Sequence, residues 1–452
     1  MIPPRRPFPS ARAAPLPFPR AVSGALLAAA VLLSGCQGGL QPPSMLAIGR
    51  GQAPSDPAAI QRLAPEGGTA SPLIADLAAR PFILPQGGTM ARLADAILAA
   101  DPGADAAELG LARLRADAVA RNAWPSLTPT LTLDSLAGLA ANLVIDQPLL
   151  DNGRRKAERA RARAEIDLAA VTLAAGRNAR IHEGLSLYLT AEQARAQEAI
   201  STRATARLSE FHSIVTQRIA GGLSDRTEEQ IIAQSLAEMQ ATLASDRQTR
   251  TQALADLAQL TGGQGAADLT GIDRLPPLPA AEALSLLRAR AIAARDLAEA
   301  DITRADALPG LSANARVTED GVTPGLGLGG VRLGLGSPAI LRSAEAIPDL
   351  VRRQTAEAEE QAARRRTELQ GRLEQLRTRQ EQGQTVLART LENLDLYAEQ
   401  YRLGRRSLTD LTMQTAAAAR LERDQVALAY DAARIELELA RDVGALVAGG
   451  RL

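Results

Sequence analysis

Histidine and cysteine, which supply many catalytic groups and metal ligands in proteins, are nearly absent from this chain. Its 452 residues include two histidines and one cysteine. His182 and His212 lie 30 residues apart with no cysteine or carboxylate cluster beside them, so their spacing matches neither a metal-ligand set nor a nucleophile with its base. No phosphate-cradling loop of the P-loop kind occurs either. We therefore expect no enzymatic activity, no metal, no cofactor and no coupling to nucleotide hydrolysis.

The single cysteine, Cys36, has a context of its own. Four arginines and an apolar run at residues 21–33 precede the sequence Leu-Ser-Gly-Cys that ends at Cys36. A basic segment, an apolar run and small residues before a cleavage point are typical of a secretory signal. The ending resembles the bacterial lipobox, in which the cysteine becomes the first mature residue and is acylated with fatty acids such as palmitate. An ordinary signal with a chance cysteine is the alternative. No apolar run long enough for a membrane-spanning helix follows Cys36.

The composition favours long helices over a thick globular core. Aromatic residues make up 2% of the chain, and the 51 basic residues equal the 51 acidic ones. Few aromatic side chains leave little to fill a thick core, whereas the abundant Ala, Leu, Arg, Glu and Gln suit packed helices. The balanced charge provides no basic surface for nucleic acid, so we exclude nucleic acid as a partner.

Two short stretches indicate that the chain is an internal duplication. They are residues 219–228 (IAGGLSDRTE) and 401–410 (YRLGRRSLTD). A shift of 182 residues places Gly222 on Gly404 and Gly262 on Gly444, so each copy reads as a long helix, a tight turn and a returning helix. The first long helix would span about 100 Å at 1.5 Å per residue. Such a hairpin is too long to bury its apolar stripe alone, which predicts neighbouring copies.

Prolines suggest that the two long helices differ in length. If Pro338 is the counterpart of Pro148, the first long helix is the longer of the two. Pro348 then predicts that the second long helix effectively begins there, because proline is well tolerated only in the first turn of a helix.

Alternating apolar and polar residues predict four short strands, one pair before each long hairpin. The first pair covers residues 127–133 and 139–145, with a turn at residues 134–138. The second pair begins with residues 311–317 and continues through residues 326–335, with a bulge predicted at Gly329 and Gly330.

These patterns divide the chain into six parts. They are a signal peptide at 1–35, a lipid-anchored tether with an extended segment at 36–87, a first repeat at 88–263, a Pro-rich linker at 264–280, a second repeat at 281–445 and a tail at 446–452.

The order of these features resembles the TolC-like outer-membrane efflux proteins, including their lipoprotein branch. The resemblance rests on the lipobox, on the strand exit QPLLDNGRR at residues 147–155 and on the two turns with their R/Y-x-x-G pattern. It implies a mainly α fold with a small β part. Long hairpins would form a trimeric α-barrel, and four strands per protomer would contribute to a 12-stranded β-barrel in the outer membrane. The implied function is a passive exit duct of a tripartite efflux system, with a homotrimer, a periplasmic adaptor, an inner-membrane transporter and outer-membrane lipid as partners.

The resemblance also implies a gate at the two turns, which would form the periplasmic entrance. Tyr401 is expected to bond to Glu228, and Arg406 to Thr227, holding the entrance shut. Asp410 would form a ring of three carboxylates that favours cations. Arg406 as a solvated helix-end charge and Asp410 as an ordinary acid near a helix start are the alternatives.

The turns themselves resemble the sites where an adaptor docks. The residues concerned are Gly221, Gly222, Leu223, Ser224, Leu403, Gly404 and Arg405. Glycine would be needed in these turns with or without docking.

Two alternatives to an efflux duct stay open on the sequence. One is a type I secretion duct, which keeps the channel and exports polypeptides. The other is a structural periplasmic coiled-coil lipoprotein that forms no pore.

Overall fold

A computed structural model describes residues 71–122, 124–135, 138–263, 270–318, 321–329 and 336–451. The predicted signal peptide, the lipidation site Cys36 and the tether up to residue 70 lie outside the described residues.

Up to residue 263, the described residues contain five helices and one strand pair, with the first helix lying before the first repeat. They are α1 (Pro72–Ala79), α2 (Thr89–Ala99), α3 (Ala104–Arg121), β1 (Ser126–Ser135), β2 (Gly138–Leu150), α4 (Arg154–Ala220) and α5 (Arg226–Leu260). We call α4 and α5 the first hairpin.

The second repeat follows the same order without the initial short helices. Its elements are α6 (Leu284–Asp306), β3 (Gly310–Thr318), β4 (Gly321–Gly329), α7 (Ser337–Arg402) and α8 (Leu408–Asp442), followed by a 3-10 turn at Gly449–Arg451. We call α7 and α8 the second hairpin. The predicted fold class, mainly α with a small β part, is confirmed.

The 182-residue shift holds for whole helices. Helices α5 and α8 both contain 35 residues, and the shift carries the first and last residues of α5 onto those of α8. The long helices α4 and α7 contain 67 and 66 residues, so the predicted difference in their lengths is wrong. The error came from equating Pro148 with Pro338. Pro148 lies inside β2, whereas Pro338 lies in the first turn of α7.

Pro348 does not mark the start of α7, contrary to the prediction. It lies inside the helix, which begins eleven residues earlier at Ser337. An internal proline removes one main-chain hydrogen bond. Ala344 and Val351 are buried on either side of it, so packing holds both flanking turns in place.

The four strands form one antiparallel sheet in the order β1-β2-β3-β4, with β2 and β3 joining the two repeats. Its register sorts the side chains by type. One face carries Leu127, Pro129, Leu143, Ile145, Gln147, Leu311, Ala313, Ala315, Val317, Val322, Pro324, Leu326 and Leu328. The other carries Ser126, Thr128, Val144, Asp146, Pro148, Ser312, Asn314, Arg316, Thr318 and Thr323 with five glycines. The predicted alternation is thus confirmed, with one nearly apolar face and one mainly polar face. The bulge predicted at Gly329 and Gly330 lies partly outside the described residues.

The second hairpin packs through a heptad seam. Between residues 369 and 397 the less exposed positions of α7 recur at alternating spacings of four and three. They are Leu369, Leu373, Leu376, Gln380, Gly383, Leu387, Thr390, Leu394 and Tyr397. This is the spacing by which two helices stay in contact as a coiled coil. The rest of α7 in this range is exposed.

The connection between the repeats is held firmly against α4. The hydroxyl of Tyr188 donates to the carbonyl oxygen of Gly271 at 2.7 Å, and Gly271 N–H donates to the carboxylate of Glu192 at 2.9 Å. Burial raises the pKa of Tyr188, which keeps its hydroxyl protonated as a donor. The Asp273 carboxylate accepts from Met90 N–H at the start of α2.

The extended segment predicted before residue 88 is partly helical, since α1 lies within it. Leu77 is buried, and Arg80 donates to the carbonyl oxygen of Val443. Ile83 N–H donates to the carbonyl oxygen of Ala445 at 3.0 Å. This segment therefore lies along the body, as predicted. Among the residues described, no helix combines the length and apolar character needed to cross a bilayer.

Candidate functional site

The predicted site residues lie where each hairpin turns, at residues 217–229 and 399–411, which we call the hairpin ends. In the first, Gly222 has a positive φ of 72° and its N–H donates to the carbonyl oxygen of Ile219 at 2.9 Å. Leu223 N–H donates to the carbonyl oxygen of Arg218 at 2.8 Å. These paired bonds form a Schellman motif, which satisfies carbonyls that the helix end leaves free.

The second hairpin end repeats this geometry. Gly404 has a φ of 71°, and its N–H donates to the carbonyl oxygen of Tyr401 at 2.9 Å. Arg405 N–H donates to the carbonyl oxygen of Gln400 at 2.8 Å. Each donor and acceptor is 182 residues after its counterpart, so the duplication extends to individual hydrogen bonds.

The returning helices are capped by side chains. Asp225 accepts a hydrogen bond from Glu228 N–H at 2.8 Å. Ser407 accepts from Asp410 N–H at 3.0 Å, and the Asp410 carboxylate accepts from Ser407 N–H at 3.4 Å. This reciprocal pair is a capping box. Asp410 therefore stabilises the start of α8, which is the alternative role that the sequence left open for it.

Glu228 connects the two hairpins, although not through the predicted donor. Its carboxylate accepts from the hydroxyl of Ser224 in its own turn and from Thr409 in the second hairpin at 3.5 Å. The predicted bond from the Tyr401 hydroxyl is not formed among the described residues. Thr227 is exposed.

Arg406 is held within its own hairpin. Its Nε donates to Gln400 Oε1 at 3.1 Å, and its guanidinium carbon lies 4.7 Å from the centre of the Tyr397 ring. The predicted bond to Thr227 is therefore not formed in this structure. A guanidinium over an aromatic face is a cation–π contact, which here stiffens the turn.

The ring of Tyr401 makes a contact that sequence reasoning missed. The guanidinium carbon of Arg218, at the end of α4, lies 5.6 Å from the centre of the Tyr401 ring. This cation–π contact joins the first hairpin to the second. The sequence shows that Arg218 and Tyr401 both lie near the end of a long helix. It does not show that they meet, because that depends on the direction of each side chain, which spacing does not give.

Below these contacts the two hairpins share an apolar core. The side chains of Leu208, Val215, Ile232, Leu408 and Leu411 are buried together, with Tyr397 and Tyr401 packed partly against them. The hairpin ends are therefore packed to each other through apolar contacts and, at the rim, through few polar ones.

The residues predicted to dock an adaptor are mostly exposed. Leu223 and Leu403 are 81% and 61% exposed, although both are large and apolar. Gly221, Gly222, Gly404 and Arg405 are exposed as well, whereas Ser224 is half-buried and bonded to Glu228. No bound partner tests the docking role, which stays a prediction.

A buried ion pair lies further along the first hairpin. Asp246 on α5 is 6% exposed and accepts two hydrogen bonds from the guanidinium of Arg423 on α8, one of them at 2.9 Å. Ser201 on α4 donates to the same carboxylate at 2.8 Å and accepts from Arg423 at 2.6 Å. This cluster, the three-helix junction, ties both helices of the first hairpin to the second hairpin.

The sequence did hold a signal for this junction. Ile232, Met239, Asp246 and Ala253 recur every seven residues and are all buried on α5. A carboxylate at a heptad core position requires a buried partner.

The two histidines do not form a chemical centre. His182 is half-buried on α4, and burial, with a further contribution from the charge of Arg441, lowers its pKa. His212 lies 30 residues further along the same helix. Among the residues described, no group of three or more His, Cys, Asp or Glu side chains is placed to hold a metal.

Two repeated long hairpins joined to a four-stranded sheet define the fold of the TolC-like outer-membrane channels. The chain is similar to a membrane protein from Pseudomonas aeruginosa, with 18% identity, a TM-score of 0.70, and coverage of 80% of this chain and 91% of that one. It is similar to the outer membrane protein VceC from Vibrio cholerae, with 17% identity, a TM-score of 0.66, and coverage of 78% and 96%.

A third similar structure is the open state of the MtrE outer membrane channel from Neisseria gonorrhoeae. It is 16% identical, with a TM-score of 0.69 and coverage of 85% of this chain and 95% of that one. No protein-family profile and no curated protein sequence matches the chain. The likeness therefore establishes the fold, and the function is argued from the molecule itself.

Proposed function

We propose that this chain is one protomer of a trimeric, passive outer-membrane channel that serves as the exit duct of a tripartite efflux system for small molecules. Cys36 would be its lipidated first mature residue and would anchor the channel in the outer membrane.

The observation that carries this proposal is the uncovered, one-sided sheet. In the described residues no helix makes extensive contact with it. On its apolar face Val322, Leu326 and Leu328 are 65%, 74% and 85% exposed. Large apolar side chains exposed in a row are unfavourable in water and favourable against lipid. An apolar face outside and a polar face inside are the features of a sheet that encloses an aqueous pore in a membrane.

The free edges of the sheet support a trimer. Strands β1 and β4 each have one unpaired side in the protomer, and unpaired main-chain groups are not tolerated in lipid. Three copies of four strands would close a 12-stranded barrel. The poorly buried helix α7, with five buried residues in 66, would find its missing neighbour in the adjacent copy, extending the α-barrel below the membrane.

The hairpin ends would form the periplasmic entrance. We place the gate at Tyr401, Arg406, Glu228, Thr227 and Asp410. The exposed turns around Leu223 and Leu403 would receive a periplasmic adaptor protein, and an inner-membrane transporter would supply the energy.

The proposal is tested by purifying the lipidated protein from outer membranes and recording from planar bilayers. We expect a heat-resistant trimer on unboiled gels and discrete single-channel currents. A monomeric protein that forms no channels would contradict the proposal and would favour a pore-free coiled-coil lipoprotein.

A further inference from the structure

We infer that the closed position of the hairpin ends is held in this chain by the stacking of Arg218 on the ring of Tyr401, and that the Tyr401 hydroxyl has no part in it. This inference rests on the proposed function, because it concerns the entrance of the proposed channel.

The geometry favours the ring over the hydroxyl. The Arg218 guanidinium carbon is 5.6 Å from the ring centre, within the range of a cation–π contact. Arg218 is exposed and forms no ion pair with any described residue, so the ring of Tyr401 is the side-chain group that it contacts. Tyr401 is half-buried beside the shared apolar core, which fixes the position of the ring that Arg218 covers from the solvent side.

The acceptor that a hydroxyl latch would need bonds to other donors, and the Tyr401 hydroxyl is not among them in the described residues. Both hydrogen bonds that Glu228 accepts come from hydroxyls of other residues, Ser224 and Thr409. The bond from Thr409 crosses between the hairpins, but its length of 3.5 Å is at the limit for a hydrogen bond.

The other arginines near the entrance do not replace Arg218. Arg406 stacks on Tyr397 of its own hairpin, so it does not restrain one hairpin against the other. The ion pairs Arg420–Glu238 and Arg203–Glu422 do cross between hairpins, at 3.1 and 2.6 Å. They lie about 2.5 to 4 helical turns beyond the hairpin ends, so they join the helices there and not the turns.

Stacking and a hydroxyl latch predict different responses to substitution. Phenylalanine keeps the aromatic face that attracts a cation and removes only the hydroxyl. Lysine keeps the positive charge of Arg218 but loses the planar group that stacks well on a ring.

Single-channel conductance of the full-length trimer tests the inference, with Tyr401→Phe, Tyr401→Leu and Arg218→Gln as the variants. We expect Tyr401→Phe to keep the wild-type conductance, and Tyr401→Leu and Arg218→Gln each to raise it several-fold. The double variant Arg218→Gln/Tyr401→Leu should conduct no more than either single variant, because both remove the same contact.

Arg402→Gln is the matched control, because Arg402 is exposed at the same depth and pairs with Glu399 of its own helix at 3.4 Å. We expect its conductance to be unchanged. An equal rise in Arg402→Gln would show a general effect of charge at the entrance and would overturn the inference. The yield of heat-resistant trimer shows that each variant has folded.

Two further outcomes would overturn the inference while leaving the channel in place. One is an equal conductance of Tyr401→Phe and Tyr401→Leu, which would show that the hydroxyl of Tyr401, and not its ring, holds the hairpin ends. The other is wild-type conductance in Arg218→Gln. Absence of channels in the wild type as well would overturn the proposed function, and the inference with it.

Discussion

Among single residues, the buried carboxylate of Asp246 has a large energetic consequence. A buried ion pair adds little net stability, since desolvation offsets the attraction between its charges. Removing one partner is costly, because the other is left as an uncompensated buried charge. At the three-helix junction, Arg423 and Ser201 supply the hydrogen bonds to this carboxylate. The junction therefore contributes chiefly to fixing how the three helices are aligned.

Arg423→Leu should lower the free energy of unfolding by about 3–5 kcal/mol, because Asp246 loses its buried partner. Chemical denaturation of the detergent-solubilised protein measures this loss. The double variant Asp246→Leu/Arg423→Leu should recover most of it, because no unpaired charge remains.

The matched control is Arg203→Leu, which removes an arginine that pairs with Glu422 at 2.6 Å but is 63% exposed. Its cost should stay within about 1 kcal/mol, as for other exposed pairs. Equal costs for Arg203→Leu and Arg423→Leu would contradict the importance of burial.

The residue scale is also where sequence reasoning was weakest. It placed Tyr401, Arg406 and Glu228 at the same distance along the hairpins, since the helix rise fixes that distance. It assigned the wrong partners to them within the protomer, because Arg406 turns back onto Tyr397 and Glu228 binds Thr409. Long side chains have several rotamers, and the choice among them depends on packing that spacing does not reveal.

At the scale of elements, the tight turns explain why the two hairpins have matching ends. Gly222 and Gly404 have positive φ angles of 72° and 71°, a conformation that glycine adopts without strain. A Cβ at either position would meet no atom within 4 Å. Backbone conformation alone, not lack of space, therefore requires glycine in both turns.

Gly222→Ala and Gly404→Ala should each cost about 1–2 kcal/mol, the strain of a left-handed residue with a side chain. The two costs should agree, because the turns share one geometry. Thermal unfolding of each variant, compared with the wild type, measures them.

Gly110→Ala provides the control, since Gly110 lies within α3 and also has free space around it. There alanine should stabilise the helix by about 0.5–1 kcal/mol. Destabilisation by Gly110→Ala as large as that in the turns would show that the turns are not special.

Elements were predicted well where a periodic pattern was long. The helices and the strand pairs follow from apolar spacing, and the repeat from the 182-residue shift. Prolines were the source of error, because one residue type has two structural roles: Pro148 lies in a strand and Pro338 opens a helix. Helix α1 was missed since its eight residues are too few for a clear period.

At the scale of the whole molecule, the two faces of the sheet determine whether the protein suits a membrane or an aqueous compartment. Its apolar face suits lipid and its polar face suits water, so a charge should be harmful on one face and tolerated on the other. This asymmetry separates a membrane channel from a pore-free periplasmic protein, for which neither face would meet lipid.

Leu326→Arg should reduce the heat-resistant trimer recovered from outer membranes, because an arginine on a lipid-facing strand position is unfavourable, by up to about 2–4 kcal/mol at the bilayer midplane. Ser312→Arg, on the polar face of the neighbouring strand, is the control and should assemble normally. Quantitative gels of outer-membrane fractions compare the two. Equal assembly of both variants would argue against contact between the apolar face and lipid.

The heptad seam of α7 has a consequence for how far such a protein can reach. Removing seven residues from a long helix and seven from its returning partner would shorten a hairpin by about 10 Å and keep the same side chains facing each other. Removing three or five would rotate every later contact out of alignment. Natural variation in the reach of such proteins should therefore come in whole heptads, matched in both repeats so that their tips stay level.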